Sequence, residues 1–164
     1  MPQPFTTFEA VAAPLDLHNV DTDQIIPARL MRRPRDARYA TYGFHDLRFD
    51  ADGAERPDFV LNRAPFDEAG ILVAGRNFGV GSSREAAVYA LLAMGIRAVV
   101  AEGFGDIFFG NALKNGLVPV RLPGPVVEAL RAGLHAAPGA TLAVDLAALQ
   151  LRQPGGGAHP FTIP

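Results

Sequence analysis

The stretch "ILVAGRNFGVGSSREAAVYALLAMG", residues 71–95, decides how this chain is read. It opens with a short apolar run ended by Gly75, the pattern of a buried strand over 71–75. It closes with an apolar run that reads as a helix over 82–95, with serines for the cap, Glu85 in the first turn and Gly95 as the stop. A strand, a glycine-rich turn and a helix start make the layout that binds anions. The first N–H groups of a helix have no intrahelical partner, and the helix dipole adds partial positive charge there. Glycines let the backbone come close to a ligand. Ser82 and Ser83 add hydroxyls, and Arg84 offers a two-pronged donor to a carboxylate or a phosphate. Taken alone, the stretch fits either anion, and it fits an ordinary capped helix start as well. It matches neither GxGxxG nor GxxxxGK[ST], so dinucleotide and P-loop binding find no support.

Downstream the same alternation repeats. "RAVVAE" (97–102) reads as a strand, "FGDIFFGNALKNG" (104–116) as a helix and "LVPVRL" (117–122) as a third strand. "GPVVEALRAGL" (124–134) reads as a third helix, with Pro125 near its first turn. The remainder, 140–164, alternates weakly and suggests one or two strands around a glycine turn. Strands alternating with helices predict an α/β sandwich, a mixed sheet with parallel strands flanked by helices. Upstream, "DTDQIIP" (21–27) puts two acids and a threonine before a short β-branched pair that Pro27 stops. From Ala28 to about Asp58 runs a long irregular segment holding six arginines and several aromatics up to Phe49. A loop of that length in a compact domain is usually functional or mobile.

Composition narrows the classes of function. The 164 residues fit one domain with a sizeable core. A net charge of −2 without long blocks of one sign gives no support to nucleic-acid or anionic-membrane binding. No 18-residue apolar run and no signal peptide is evident, so a cytoplasmic location is expected. With no cysteine, the chain makes no disulfide and cannot itself ligate an iron–sulfur cluster through thiolates. The four histidines show no metal-ligand spacing, so no metal site is expected.

Four stretches in order carry a resemblance: "NVDTDQIIPARL" (19–30), "FHDLRF" (44–49) with "PDFVLN" (57–62), "ILVAGRNFGVGSSREAA" (71–87) and "GFGDIFFGNALKNGLVPV" (103–120). Together they resemble the small subunit of 3-isopropylmalate dehydratase, which is similar to the swivelling C-terminal domain of aconitase. The resemblance runs from about residue 9 to 122 and more weakly to the end, so residues 1–164 are expected to form one swivelling β/β/α domain. It implies a heterodimer whose large subunit carries a [4Fe–4S] cluster while this chain binds no cofactor. The implied reaction isomerises 2-isopropylmalate and 3-isopropylmalate, by dehydration and rehydration, in leucine biosynthesis. Alternatives within reach are the same chemistry on another small hydroxy diacid, of the methylmalate/citraconate type, and a non-catalytic anion-binding or regulatory paralogue.

Carried over residue by residue, the resemblance makes Ser82 the base and Arg84 the clamp on a substrate carboxylate. A serine is a poor base at its ordinary pKa, so its anion needs surrounding N–H groups, the helix dipole and Arg84. Ser83 and Gly81 are assigned to substrate binding, and Asp21, Thr22 and Asp23 to ordering the loop that follows. The segment of about 28–57 corresponds to a mobile specificity loop, in which Leu30 and Met31 supply apolar contacts and Arg29, Arg32 or Arg33 carboxylate contacts, a solvated surface role being the alternative for each arginine. Asp106, Asn111, Lys114 and Asn115 are expected to pack and cap a helix, and Asn77 to brace the glycine loop. The family's loop usually reads GCGSSREHA; Val80 and Ala86 stand at its cysteine and histidine positions, and the chain ends at "FTIP" where a helical tail commonly follows. By the resemblance, the missing ring at 86 bears on which diacid is used or on full activity.

Overall fold

A computed structural model describes residues 7–81 and 85–163. Its frame is a seven-stranded mixed sheet in the order β4-β3-β2-β1-β5-β6-β7. The strands are β1 (Thr7–Pro14), β2 (Ile71–Val73), β3 (Ala98–Ala101), β4 (Val118–Arg121), β5 (Thr141–Asp145), β6 (Gln150–Arg152) and β7 (Ala158–Pro160). β1 to β4 run parallel, while β5, β6 and β7 run antiparallel to their neighbours. β1 belongs to both halves: Thr7–Val11 pair with β5, and Ala12–Pro14 pair with β2. Pro119 sits in β4, which ends the sheet, where a missing ladder donor does least harm.

The helices are α1 (Thr22–Ile25), α2 (His45–Arg48), α3 (Glu85–Ala93), α4 (Asp106–Asn115) and α5 (Gly124–Ala136). Alternation along the parallel strands sorts the core into two layers. Leu72, Val99 and Ala101 face the layer shared with α3 and α4, including Val88, Leu91, Phe108 and Ala112. Ile71, Val73, Ala98 and Val100 face the other layer, which Val127, Leu130 and Leu134 of α5 cover together with Leu142 and Val144. Each fully buried large side chain here contributes about 1.5–3 kcal/mol relative to exposure.

The strand–helix alternation from 71 to 136 matches the sequence expectation, and so does the mixed sheet. Two features differ. Residues 140–164 hold three strands rather than one or two, because β5 pairs back onto β1 while β6 and β7 form the hairpin around the 154–157 turn. Residues 7–14, which carried no strand signal, form β1. In the acidic motif, Ile25 ends α1 and Ile26 is its extended cap. The segment 28–58 folds as a strap of short turns (Ala28–Leu30 and Ala37–Thr41) followed by α2, with Tyr39, Tyr42 and Phe44 buried against the α3 layer.

Candidate active site

Three loops meet at the C-terminal ends of β1, β2 and β3. In open α/β sheets this edge is where ligands bind. The loop after β2 is clamped from both sides. Gly79 and Val80 donate their N–H groups to the Val20 carbonyl at 2.7 and 3.2 Å, and Thr22 donates back to Val80 O at 2.9 Å. On the other side, Phe78 donates to Gly103 O at 2.9 Å and Gly105 donates to Phe78 O at 3.0 Å. Asn77 donates through its amide to Asn19 Oδ1 at 2.9 Å, which is the bracing expected of it. Arg76 N–H donates to His18 Nδ1 at 2.8 Å.

Close approach explains two of the glycines. Gly79 has φ +80°, and a Cβ there would lie 2.3 Å from Cγ of Phe108. A Cβ on Gly105 would lie 2.5 Å from the Gly79 carbonyl oxygen. The loop is thereby wedged onto α4 with an aromatic cluster under it: Phe78 is edge-on to Phe108, with ring centres 5.4 Å apart, and Phe104 stacks on Phe108 at 6.3 Å. Nothing in the sequence spacing announced that cluster, since its members lie on three elements.

Asp21 caps α1 in a reciprocal box. Gln24 N–H donates to its carboxylate at 2.8 Å, and Asp21 N–H donates to the Gln24 side chain at 3.0 Å. Asp23 accepts from Ala28 N–H at 2.9 Å, linking the acidic motif to the strap. Thr22 is buried, and a Cβ on Gly81 would lie 3.7 Å from its hydroxyl oxygen. The structure therefore brings Asp21, Thr22 and Gly81 together. Ser82, Ser83 and Arg84 lie outside the described residues. In the strap, Leu30 is turned into the core with 8% exposure, Met31 is half-buried and Arg32 is exposed. Arg29 is paired with both carboxylate oxygens of Asp46 at 2.9 and 2.5 Å. That bond raises the Arg29 pKa and lowers that of Asp46.

Glu85, the residue after Arg84, reaches across to the end of α4. Its carboxylate accepts from Tyr89 Oη at 2.7 Å and from Asn115 Nδ2 at 2.9 Å, with Lys114 Nζ at 3.5 Å. Lys114 and Asn115 thus fasten the two helices, the packing role expected of them. The Asn115 amide foremost, then the Tyr89 hydroxyl, hold the Glu85 carboxyl below its ordinary value of 4.5. Because the folded value is the lower one, this contribution is full at neutral pH and disappears as acid titrates the folded carboxyl. Glu85→Gln should therefore lower the urea midpoint at pH 7 and flatten its fall with acid below about pH 4.5, read from unfolding curves at several pH values.

A cleft of about 350 Å³ opens at the same strand ends on the α5 side, lined by His18, Arg76, Glu102, Glu128 and Arg131 among others. Among the described residues, none of those expected to act on substrate lines it. Among the described residues there is no group of three or more His, Asp or Glu placed to hold a metal ion. No helix among them is long and apolar enough to cross a membrane.

Comparison with known proteins places these features in a family. Residues 2–125 match the aconitase C-terminal domain. A 3-isopropylmalate dehydratase small subunit from Rhodospirillum centenum is 52% identical over 97% of this chain and 78% of its own length. The corresponding small subunit from Gluconacetobacter diazotrophicus is 46% identical over 97% of the chain and 77% of its own. In structure, the chain is similar to a 3-isopropylmalate dehydratase from Methanocaldococcus jannaschii. That match has a TM-score of 0.67 and 28% identity, and it covers 96% of this chain and 83% of the other.

Proposed function

The chain belongs to the aconitase C-terminal domain family, alongside the 3-isopropylmalate dehydratase small subunits, and we propose that it is one half of such a hydro-lyase. The enzyme interconverts 2-isopropylmalate and 3-isopropylmalate, by dehydration and rehydration, in leucine biosynthesis. The observation that carries this reading is the junction of Asp21–Thr22 with Val80–Gly81. It joins the acidic motif to the start of the serine–arginine motif at the ligand-binding edge of the sheet.

The chemistry divides by residue. Dehydration of a hydroxy diacid removes a proton α to a carboxylate, which calls for a base on one face of the substrate. Ser82 takes that proton, Arg84 pairs with a substrate carboxylate through its fork of donors, and Ser83 and Gly81 bind the substrate. Support comes from both flanks, since Gly81 lies beside Asp21 and Thr22 and Glu85 is held by Tyr89 and Asn115. Met31 and Arg32 extend from the strap to meet the isopropyl group and the second carboxylate, with Leu30 as their buried anchor. Asp21, Thr22 and Asp23 fix the take-off of that strap.

With no cysteine, this chain has no thiolates to offer a [4Fe–4S] cluster, and we place that cluster on the large-subunit partner of the heterodimer. Bound there, the cluster supplies the Lewis acid for the substrate hydroxyl. The complex works in the cytoplasm. Co-expression with a large subunit from the same genome should yield an equimolar complex that turns over 2-isopropylmalate faster than other small hydroxy diacids. A complex that assembles and turns over none of them overturns the proposal. One that prefers a methylmalate-type diacid moves the substrate and leaves the chemistry.

A further inference from the structure

One connected chain of contacts joins the strap, the start of α3 and the end of α4. The Arg35 guanidinium lies 3.6 Å from the centre of the Tyr89 ring. The Tyr89 hydroxyl donates to Glu85 Oε1 at 2.7 Å, and Asn115 Nδ2 donates to Glu85 Oε2 at 2.9 Å. Each link strengthens the next. A phenol that donates to a carboxylate has a more electron-rich ring, and an electron-rich ring face attracts a guanidinium more strongly. The bond to Glu85 also fixes the plane on which Arg35 rests. Residues 32–38 are exposed, so Arg35 reaches from a solvated stretch to the helix. Nearer the core, Tyr39 donates to Met31 O at 3.3 Å and stacks edge-on to Tyr42 at 5.2 Å.

We propose that Arg35, Tyr89 and Glu85 form a positioning latch, which seats the strap carrying Met31 and Arg32 against the first turn of α3, next in sequence to Ser82–Arg84. This rests on the hydro-lyase reading above. Arg35 touches neither substrate nor reacting atom in this scheme. It acts on substrate affinity by holding the strap residues in register with the base. The distinction matters because the strap meets the ground state and the transition state of the diacid alike, and uniform binding of that kind appears in KM rather than in kcat.

The test uses the assembled two-subunit enzyme with 2-isopropylmalate. Arg35→Ala should raise KM about two- to five-fold with kcat unchanged. That factor corresponds to an exposed cation–π contact of about 0.5–1 kcal/mol at about 1.4 kcal/mol per decade. Arg35→Lys, which keeps a cation over the ring, should restore part of the loss. Tyr89→Phe keeps the ring but removes the bond to Glu85, and its KM should fall between those of the wild type and Arg35→Ala. An unchanged KM in Arg35→Ala, or a fall in kcat alone, overturns the latch. Hydrogen exchange on the isolated chain gives a second readout that needs no turnover. Amides of 29–36 should exchange faster in Arg35→Ala while those of Ala98–Ala101 stay as they were, and equal exchange in the strap also overturns the latch. If the wild-type complex turns over no diacid, the hydro-lyase reading fails, and the exchange experiment still decides whether the latch exists.

Discussion

Alanine at position 82 should reduce turnover of the assembled enzyme by about a thousand-fold or more, while the complex still co-purifies with its partner. A positioned general base contributes about 10²- to 10⁴-fold, and in the proposed mechanism Ser82 must also be an anion when it acts. The side chain is a single hydroxymethyl group, so alanine takes away a hydroxyl and little else. Arg84→Lys is the natural companion. It keeps the charge but loses the planar fork, and should raise KM as well as lower kcat. If Ser82→Ala keeps turnover within ten-fold of wild type, the base lies elsewhere and the glycine loop serves only to bind carboxylate. Stability should not change in either variant, which separates this result from a folding defect.

Gly79→Ala should be the most damaging single-methyl change in the described part of the loop. The new Cβ would sit 2.3 Å from Cγ of Phe108, on a backbone held at φ +80°. The left-handed backbone costs a residue with a side chain about 1–2 kcal/mol, and forcing a methyl into a packed site costs about 1–3 kcal/mol more. Together these amount to about 2–5 kcal/mol, or about 5–20 °C in Tm for a domain of this size. Activity should fall further than stability alone explains, because the same displacement shifts the carbonyl of Val80 away from Thr22. Gly110 is the control. A Cβ there meets nothing within 4 Å inside α4, so Gly110→Ala should stabilise by about 0.5–1 kcal/mol. A thermal melt of both variants reads the contrast directly, and equal melting temperatures would mean that the loop does not pack on Phe108.

Much of this was legible in the sequence, and what was legible shares a physical cause. Buried parallel strands read as short apolar runs, and the helices between them carry their own stops, so 71–136 could be parsed from local pattern. Residues 7–14 could not. "TFEAVAAP" mixes polar and apolar positions because its first half lies at the join between two half-sheets and only Ala12–Pro14 are buried on both faces. The strap was equally opaque: Tyr39, Tyr42 and Phe44 are core residues at spacings that fit neither a helix nor a strand. At the site, the order of the motifs announced which stretches belong together. It could not announce the bond between Glu85 and Asn115, which are thirty residues apart and on different helices, or the cation of Arg35 lying over Tyr89. Those contacts exist only because the sheet brings α3 and α4 side by side.

The double allegiance of β1 also sets a timetable for synthesis. Strands β2 to β4 and their helices leave the ribosome early and find all their partners in what has already emerged. The first half of β1 does not: Thr7 waits for Asp145 and Val11 for Thr141, nearly the whole chain later. Until then, the outer edge of a growing sheet stands open to any passing strand. Such far-separated pairing is also the slow kind. A chain released before residue 141 would thus lack β5 and leave the Thr7–Val11 edge of β1 unpaired, a seam open to association.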